Sequence, residues 1–159
     1  MPMNVLKIVV TAAVCGFVAV GAFAQGPPAK FDPARDAAAD VAAAVATAKA
    51  QGKRVLVDVG GEWCPWCHIL DRFVAANPDV QALRDANYVW LKVNWSKENR
   101  NEALLARWPK VNGYPHLFVL DADGRLLHSQ DTGVLESGKD YDKAKFVAFL
   151  RAWAPARGA

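Results

Sequence analysis

The chain has 159 residues, which suits one domain of ordinary size. Its formal net charge of +3 is small and dispersed along the chain, so the charge does not predict a nucleic-acid-binding surface. The sequence shows no internal repeat and no composition shift that would mark a second folded domain.

Residues 1–24 predict an export signal. Lys7 is the only charged residue there, an apolar run covers residues 8–20, and small residues at 22 and 24 suit a cleavage site. This run is short and rich in alanine, which favours a signal peptide over a membrane span; an uncleaved, membrane-tethering segment is the alternative. Cleavage would remove Cys15 and leave Cys64 and Cys67 in the exported chain.

A linker containing glycine and proline, residues 25–31, precedes the predicted domain, residues 32–159. Apolar periodicity and terminal Gly or Pro residues predict five helical segments. These segments cover residues 32–51, 65–76, 79–85, 101–108 and 139–153. Asp32 followed by Pro33 is expected to begin the first of them, as an N-cap and first helical residue.

Short runs rich in apolar and β-branched residues predict the strands. They cover residues 55–59, 88–94, 116–121 and 125–129, and no strand precedes the first helical segment. A hairpin turn over residues 121–124 is expected to join the last two strands. The pattern predicts an α/β fold in which helices flank a central mixed sheet of about four strands.

Two cysteines at C-x-x-C spacing lie where the first strand gives way to a helix. Pro65 suits the first position of that helix, which places Cys64 at the N-cap. There its sulfur would face free backbone N–H groups and the positive end of the helix dipole, which favour the thiolate. The sequence therefore predicts a reactive Cys64 with a partner, Cys67, one helical turn further in. A disulfide closing so short a loop stabilises a fold little, which favours redox chemistry over a structural role.

Two other interpretations of the motif stay open. Cys67 is followed by His68, so the sequence satisfies the C-x-x-C-H pattern of covalent haem attachment. However, both methionines lie in the export segment and could not serve as an axial ligand. A zinc site would need ligands from His68, His116 or His128, because there is no second C-x-x-C. The preferred interpretation has no metal and no cofactor, and the competing class is a non-catalytic partner-binding module that uses the motif as a metal or haem handle.

The chain resembles the thioredoxin superfamily from about residue 53 to its C-terminus. The resemblance is carried by Asp58, the Gly61-Glu62-Trp63 segment and the Cys64-x-x-Cys67 motif, which match the family's active-site strand and loop without a gap. Within the superfamily it is closest to periplasmic thioredoxin-like proteins and to the C-terminal domain of the transmembrane thiol reductant DsbD. The resemblance implies a thioredoxin-like fold and a periplasmic location.

The resemblance also implies roles for residues outside the motif. It places Asp58 beneath the cysteines as a buried carboxylate that moves protons for Cys67, with Lys92 beside it. It makes Pro115, after Tyr114, the cis-proline of a loop that faces the cysteines. From the residues alone, Lys92 could instead be an outward strand lysine. His116 could tune a nearby thiolate or be structural.

The aromatic residues around the cysteines are candidates for binding partner proteins. Trp63 and Trp66 flank Cys64, and exposed aromatic side chains there would form an apolar patch with Pro65. Tyr114 and Pro115 join this patch through the resemblance. A core role is the alternative for both tryptophans.

The dipeptide between the cysteines bears on the direction of electron flow. Thioredoxin has Gly-Pro where this chain has Pro65-Trp66, and proline followed by an aromatic residue is similar to the Cys-Pro-His-Cys motif of the oxidant DsbA. Trp66 lacks the charge that His would bring, so we expect a potential nearer about −270 mV, as in thioredoxin, than about −120 mV, as in DsbA. The resemblance then implies a reductant of exported protein disulfides that receives electrons from a membrane thiol reductant; in reverse, the pair would oxidise dithiols.

Overall fold

The computed structural model describes residues 29–156, which form a four-stranded mixed sheet. The strands are β1 (Arg54–Gly60), β2 (Tyr88–Asn94), β3 (His116–Leu120) and β4 (Leu126–Asp131), in the order β2-β1-β3-β4. β1 is parallel to β2 and antiparallel to β3, and β3 is antiparallel to β4. The predicted α/β fold, with a mixed sheet of about four strands, is confirmed.

Helices flank this sheet on both faces. They are α1 (Ala37–Gln51), α2 (Pro65–Ala76), α3 (Pro78–Asn87), α4 (Glu102–Leu105) and α5 (Lys143–Ala152). A short 3₁₀ helix, Thr132–Leu135, and a small hairpin of β5 (Glu136–Ser137) and β6 (Asp140–Tyr141) lie between β4 and α5. The predicted bounds of α2 and of β2 are confirmed at both ends.

The central strand β1 is buried on both faces, because helices cover the sheet on each side. Alternate residues of a strand point to opposite faces. Val55, Val57 and Val59 pack with α1 and α4, whereas Leu56 packs with α2, α3 and α5. Asp58 shares the face of Leu56, so a carboxyl group is placed in an apolar core under α2.

The first helix begins later than the sequence predicted. Its N-cap is Asp36, whose side chain accepts hydrogen bonds from the amides of Ala38 and Ala39. Asp32 makes a separate turn, in which its carboxylate accepts from the amide of Ala34 at 2.8 Å. Both aspartates offer similar capping signals, and the tertiary contacts of the preceding segment decide between them. Asn99, for example, donates to the carbonyl oxygen of Pro33 at 2.9 Å.

Two other helices are shorter than predicted. α4 ends after four residues, since the amides of Arg107 and Trp108 bond to carbonyls three residues back and tighten the chain into 3₁₀-like turns. α5 begins at Lys143 rather than near residue 139, because Gly138 adopts a positive φ of 64° and turns the chain into the β5–β6 hairpin. Asp142 then caps α5 by accepting from the amide of Lys145.

The segment before α1 also differs from a simple linker. Phe31 lies in the predicted linker range, yet it is only 3% exposed and packs against Cys64 and Cys67. The predicted signal peptide, residues 1–24, lies outside the described residues. No helix within residues 29–156 is long and apolar enough to cross a membrane.

Candidate active site around Cys64 and Cys67

Cys64 and Cys67 form a disulfide at the first turn of α2, with their Cα atoms 5.3 Å apart. Cys64 is the N-cap, Pro65 follows in the first turn, and the amide of Cys67 donates to Sγ of Cys64 at 3.2 Å. Both cysteines are buried; Cys64 is 2% exposed. The predicted placement of the pair at the helix start is confirmed. The sulfur of Cys64 accepts a hydrogen bond from one of the backbone amides of the first turn of α2.

The glycine at the end of β1 allows this close packing. A Cβ built on Gly60 would collide with Sγ of Cys67 and would lie 3.0 Å from the ring of Phe31. Only a residue without a side chain lets the strand end approach the inner sulfur so closely. Gly60 is therefore required by the disulfide above it.

Asp58 lies two residues before Gly60 on the same face of β1 and is fully buried. Its Oδ2 accepts from Nζ of Lys92 at 3.3 Å and from Nε1 of Trp90 at 3.2 Å. Its Oδ1 has no hydrogen-bond partner within residues 29–156. Residues of β2 thus fix one carboxyl oxygen, whereas no described side chain or backbone group binds the other.

Burial raises the pKa of the Asp58 carboxyl above its usual value, and the positive charge of Lys92 only partly offsets this. Burial by itself would lower the pKa of Lys92, but the charges of Asp58 and Asp71 outweigh burial and raise it. Nζ of Lys92 lies 2.7 Å from Oδ1 of Asp71 on α2 and 4.1 Å from the ring centroid of Phe31. Lys92 is therefore a buried cation that joins β2 to α2 beneath the disulfide; it is not an outward strand lysine.

Three aromatic rings form a cluster beside the disulfide. Trp63 is 51% exposed, and its Nε1 donates to the carbonyl oxygen of Trp95 at 2.7 Å. Tyr114 stacks on Trp95 with ring centroids 4.8 Å apart, and Trp63 meets both rings edge-on. We call Trp63, Trp95 and Tyr114 the aromatic platform.

The three other candidate positions for partner binding, Trp66, Pro65 and Pro115, differ in exposure. Trp66 is half-buried and packs edge-on against Tyr141 of β6, with ring centroids 5.7 Å apart, so much of its ring belongs to the core. Pro65 is exposed. Pro115 is buried; the peptide bond between Tyr114 and Pro115 is cis, and the Pro115 carbonyl accepts from the hydroxyl of Thr132 at 2.6 Å.

The histidines near the motif are hydrogen-bonded to residues other than the two cysteines. His116 is 6% exposed, contacts Ser129 through a 2.8 Å hydrogen bond and packs on the ring of Phe118. Burial lowers the pKa of His116, which keeps the ring neutral over a wider pH range. His68 shares a 2.8 Å hydrogen bond with the Glu62 carbonyl. Among residues 29–156, no three His, Cys, Asp or Glu side chains are grouped as a metal site would require.

Comparison with known families matches this arrangement. The family model described as thioredoxin-like matches residues 36–122, which include β1, the cysteine pair and β3. The chain belongs to the thioredoxin-like family. This thioredoxin-like chain keeps the family's four-stranded mixed sheet, with the disulfide where the central strand passes into a helix.

Among curated proteins, the thioredoxin-like chain is similar to thiol:disulfide interchange proteins named DsbD. It is 34% identical over 114 residues to the DsbD of Pseudomonas fluorescens, covering 70% of this chain and 18% of that protein. For the Klebsiella pneumoniae DsbD, the values are 31% over 108 residues, 67% of this chain and 17% of that protein. The chain thus spans less than a fifth of the length of these relatives.

Two solved structures share the fold at lower identity. A disulphide isomerase from Xylella fastidiosa has a TM-score of 0.66 at 24% identity, covering 81% of this chain and 98% of its own. The oxidised C-terminal domain of Neisseria meningitidis DsbD has a TM-score of 0.58 at 23% identity, covering 79% and 99%. These likenesses show the thioredoxin-like fold.

Three residues of the site were missed by the sequence analysis. Asp71 lies four residues after Cys67 on α2, so helical spacing alone could have placed it on the same face. Trp95 follows the end of β2, and parallel neighbouring strands bring their ends to the same edge of a sheet, which is a usable signal. Phe31 precedes the first helix in a segment without periodicity, and no local pattern marks it as buried.

Proposed function

We propose that this thioredoxin-like protein exchanges thiols and disulfides with exported proteins through Cys64 and Cys67, chiefly as a reductant. The observation that carries the proposal is a disulfide at the N-terminus of α2 above a fully buried carboxyl group. A disulfide closing so short a loop contributes little to stability, whereas a helix N-terminus makes a thiolate reactive. A purely structural role for the pair would not require a buried acid beneath it.

Cys64 is the proposed nucleophile. In the reduced protein, the Cys67 amide that now donates to Sγ of Cys64 would donate to a thiolate, and the helix dipole would add to its stabilisation. The Cys64 thiolate attacks a partner disulfide, forms a mixed disulfide and releases one partner thiolate. Within residues 29–156, no backbone amide donates to Sγ of Cys67, and Cys67 serves as the resolving cysteine in this proposal.

Asp58 is the proposed proton acceptor for Cys67. The thiol of Cys67 passes its proton to the free carboxyl oxygen of Asp58, and the resulting thiolate attacks Sγ of Cys64. This breaks the mixed disulfide, releases the second partner thiol and leaves Cys64 and Cys67 oxidised, so two electrons pass to the partner. Because burial raises its pKa, the Asp58 carboxylate is a stronger base than an ordinary aspartate and accepts a proton more readily near neutral pH.

The proposed partner-binding surface consists of Trp63, Pro65 and Tyr114, with the accessible part of the half-buried Trp66. Pro115 is buried, so its part in this proposal is to shape the loop that carries Tyr114. Trp63 is the exposed ring of the aromatic platform and Tyr114 is half-buried, and Cys64 packs beside Tyr114 with little exposure of its own. A partner must therefore displace or fit around these rings to reach the sulfur. Apolar residues beside the partner's cysteine would gain most from this contact.

The export of the protein and the direction of electron flow rest on the signal-like residues 1–24 and on the relatives. The curated relatives are thiol:disulfide interchange proteins, and this chain matches only a small part of each. We propose a periplasmic protein that receives electrons from a membrane thiol reductant and passes them to exported protein disulfides. In this proposal, Lys92 tunes the ionisation of Asp58 through its hydrogen bond and charge. His116 has a structural role, because its hydrogen bond to Ser129 joins β3 to β4.

Partner trapping tests the proposal. A Cys67→Ala variant should hold exported proteins as mixed disulfides on Cys64, which dithiothreitol releases. Cys64→Ala is the matched control, because it keeps one cysteine in the motif and should trap none. Equal trapping by the two variants, or none by either, would contradict the proposal.

A further inference from the structure

Two buried side-chain oxygens within residues 29–156 have no hydrogen-bond partner in the protein: Oδ1 of Asp58 and the hydroxyl of Tyr141. Asp58 is fully buried, and Tyr141 is 5% exposed. Buried polar groups are nearly always satisfied, because an unmet donor or acceptor loses its hydration without compensation. Each of the two oxygens therefore needs a partner.

The two side chains lie in the same part of the core. Tyr141 packs on Trp66 and Phe73 of α2, with ring centroids 5.7 and 5.6 Å apart. The same cluster contains Leu117, which pairs with Asp58 across the sheet. Burial raises the pKa of the Tyr141 hydroxyl, the neighbouring Thr132 hydroxyl lowers it, and the negative charges of Glu136 and Asp58 add to the rise.

We propose that Tyr141 is a positioning residue for proton transfer at Asp58: its hydroxyl donates to an internal water molecule, which donates to Oδ1 of Asp58. A phenol supplies a donor and an ionised carboxylate only acceptors, so the two groups are complementary. A water molecule is held stably where it has several polar partners. No direct hydrogen bond joins the two side chains, and one bridging molecule would satisfy both.

The inference rests on the proposed function and adds a residue to it. Because Trp90 and Lys92 bind Oδ2, Oδ1 is the oxygen that receives the proton of Cys67. A donor held at Oδ1 stabilises the ionised carboxylate and fixes its orientation between turnovers. Tyr141 is supplied by the β5–β6 hairpin, which would give that hairpin a function in the reaction.

The direct test measures the ionisation of Asp58 in the oxidised protein by carbon-13 NMR of its carboxyl group. Removing the donor in Tyr141→Phe should raise the pKa of Asp58 by about one unit, a tenfold change in its ionisation constant. Lys92 from β2 and Asp71 from α2 face Asp58 in both proteins, and Glu136 and Asp140 remain near residue 141.

Tyr88→Phe is the matched control. Tyr88 is a buried tyrosine of the same cluster, but its hydroxyl donates to the Leu150 carbonyl at 2.7 Å. This variant should leave the pKa of Asp58 unchanged. An unchanged Asp58 pKa in Tyr141→Phe would overturn the inference; this is the result expected if the Tyr141 hydroxyl instead binds the nearby Thr132 hydroxyl.

A second measurement needs no change at Tyr141. In the wild-type protein, the ring Cζ signal of Tyr141 should shift as Asp58 titrates, and it should stay flat over the same pH range in Asp58→Asn. A flat signal in both proteins would also overturn the inference.

In the reduced protein, Tyr141→Phe should move the acidic limb of the exchange rate to higher pH by the same amount as the Asp58 pKa. It should have no such effect when Asp58→Asn is already present. A protein that exchanges no disulfides would refute the proposed function, whereas the two titrations would still decide the contact between Tyr141 and Asp58.

Discussion

The amide of Cys67 donates a 3.2 Å hydrogen bond to the sulfur of Cys64. The bond runs from the inner cysteine to the outer one, so the two sulfurs are electrostatically unequal although both are buried. The amide and the helix dipole favour negative charge on Cys64, whereas Cys67 lies against Gly60 and the ring of Phe31. This asymmetry underlies the proposed division of roles.

The asymmetry predicts the order of alkylation. When the reduced protein is treated with limiting iodoacetamide near neutral pH, Cys64 should be labelled first, because the thiolate is the reactive form. Peptide mapping by mass spectrometry measures the labelled fraction of each cysteine. Preferential labelling of Cys67 would reverse the assignment of nucleophile and resolving cysteine.

The raised pKa of Asp58 predicts that the free energy of unfolding depends on pH. Its folded pKa lies above the unfolded value of 3.8, so its stabilising contribution is full below that value and is lost as pH rises through the folded pKa. The Asp58→Asn variant has no titrating carboxyl group at this position, so it does not lose stability in this way as pH rises. In urea unfolding of the oxidised protein, the variant should therefore gain stability relative to wild type as pH rises, while its thiol exchange slows.

Asp79→Asn is the control for that experiment. A hydrogen bond from Lys143 lowers the pKa of the exposed Asp79, so the contribution of Asp79 is lost as pH falls, which is the opposite sign. A stability difference between Asp58→Asn and wild type that does not change with pH would show that Asp58 has an ordinary pKa.

The close approach of Gly60 to Cys67 predicts that a side chain at position 60 destabilises the protein. Gly60→Ala places a methyl group against Sγ of Cys67 and should destabilise the oxidised protein by about 1–3 kcal/mol, as overpacking does. Gly113→Ala is the matched control, because a Cβ there meets nothing within 4 Å. Urea unfolding compares the two, and equal stabilities would mean that β1 does not closely support the disulfide.

The exposed ring of Trp63 predicts that removing this ring weakens partner binding. Trp63→Ala should raise the KM for an apolar disulfide substrate more than it lowers kcat, since the exposed ring contacts the partner rather than the reacting sulfurs. Trp63→Phe keeps a ring beside Tyr114 but loses the hydrogen bond to Trp95, and it should retain most of the binding. If Trp63→Ala left KM unchanged, Trp63 would have no part in binding.

The sequence predicted the helix that carries the cysteines well because its signals are local. Pro65 fixes the start of α2, and Asn77 before Pro78 fixes its end, so both bounds were confirmed. The bounds of β2 and the four strands of the main sheet were confirmed for the same reason. Short-range patterns therefore placed Cys64 at the N-cap.

Features that depend on contacts between distant parts of the chain could not be predicted from local sequence patterns. Phe31 is buried by residues distant in sequence, and its backbone amide is held by Glu62 at 3.0 Å. Trp66 was expected to be exposed beside Cys64, but the unpredicted β6 hairpin supplies Tyr141, which covers part of its ring. The roles of Cys64, Cys67 and Asp58 stay predictions, as do the signal peptide and the partners.

The reduction potential of the Cys64–Cys67 pair tests the central claim most directly. The oxidised protein is equilibrated with glutathione redox buffers, and the free thiols of Cys64 and Cys67 are counted by mass spectrometry after alkylation. A reductant of exported disulfides should give a reversible two-electron couple nearer about −270 mV than about −120 mV. A couple above about −180 mV would make the protein an oxidant or isomerase, and a pair that does not exchange with glutathione would contradict a redox function altogether.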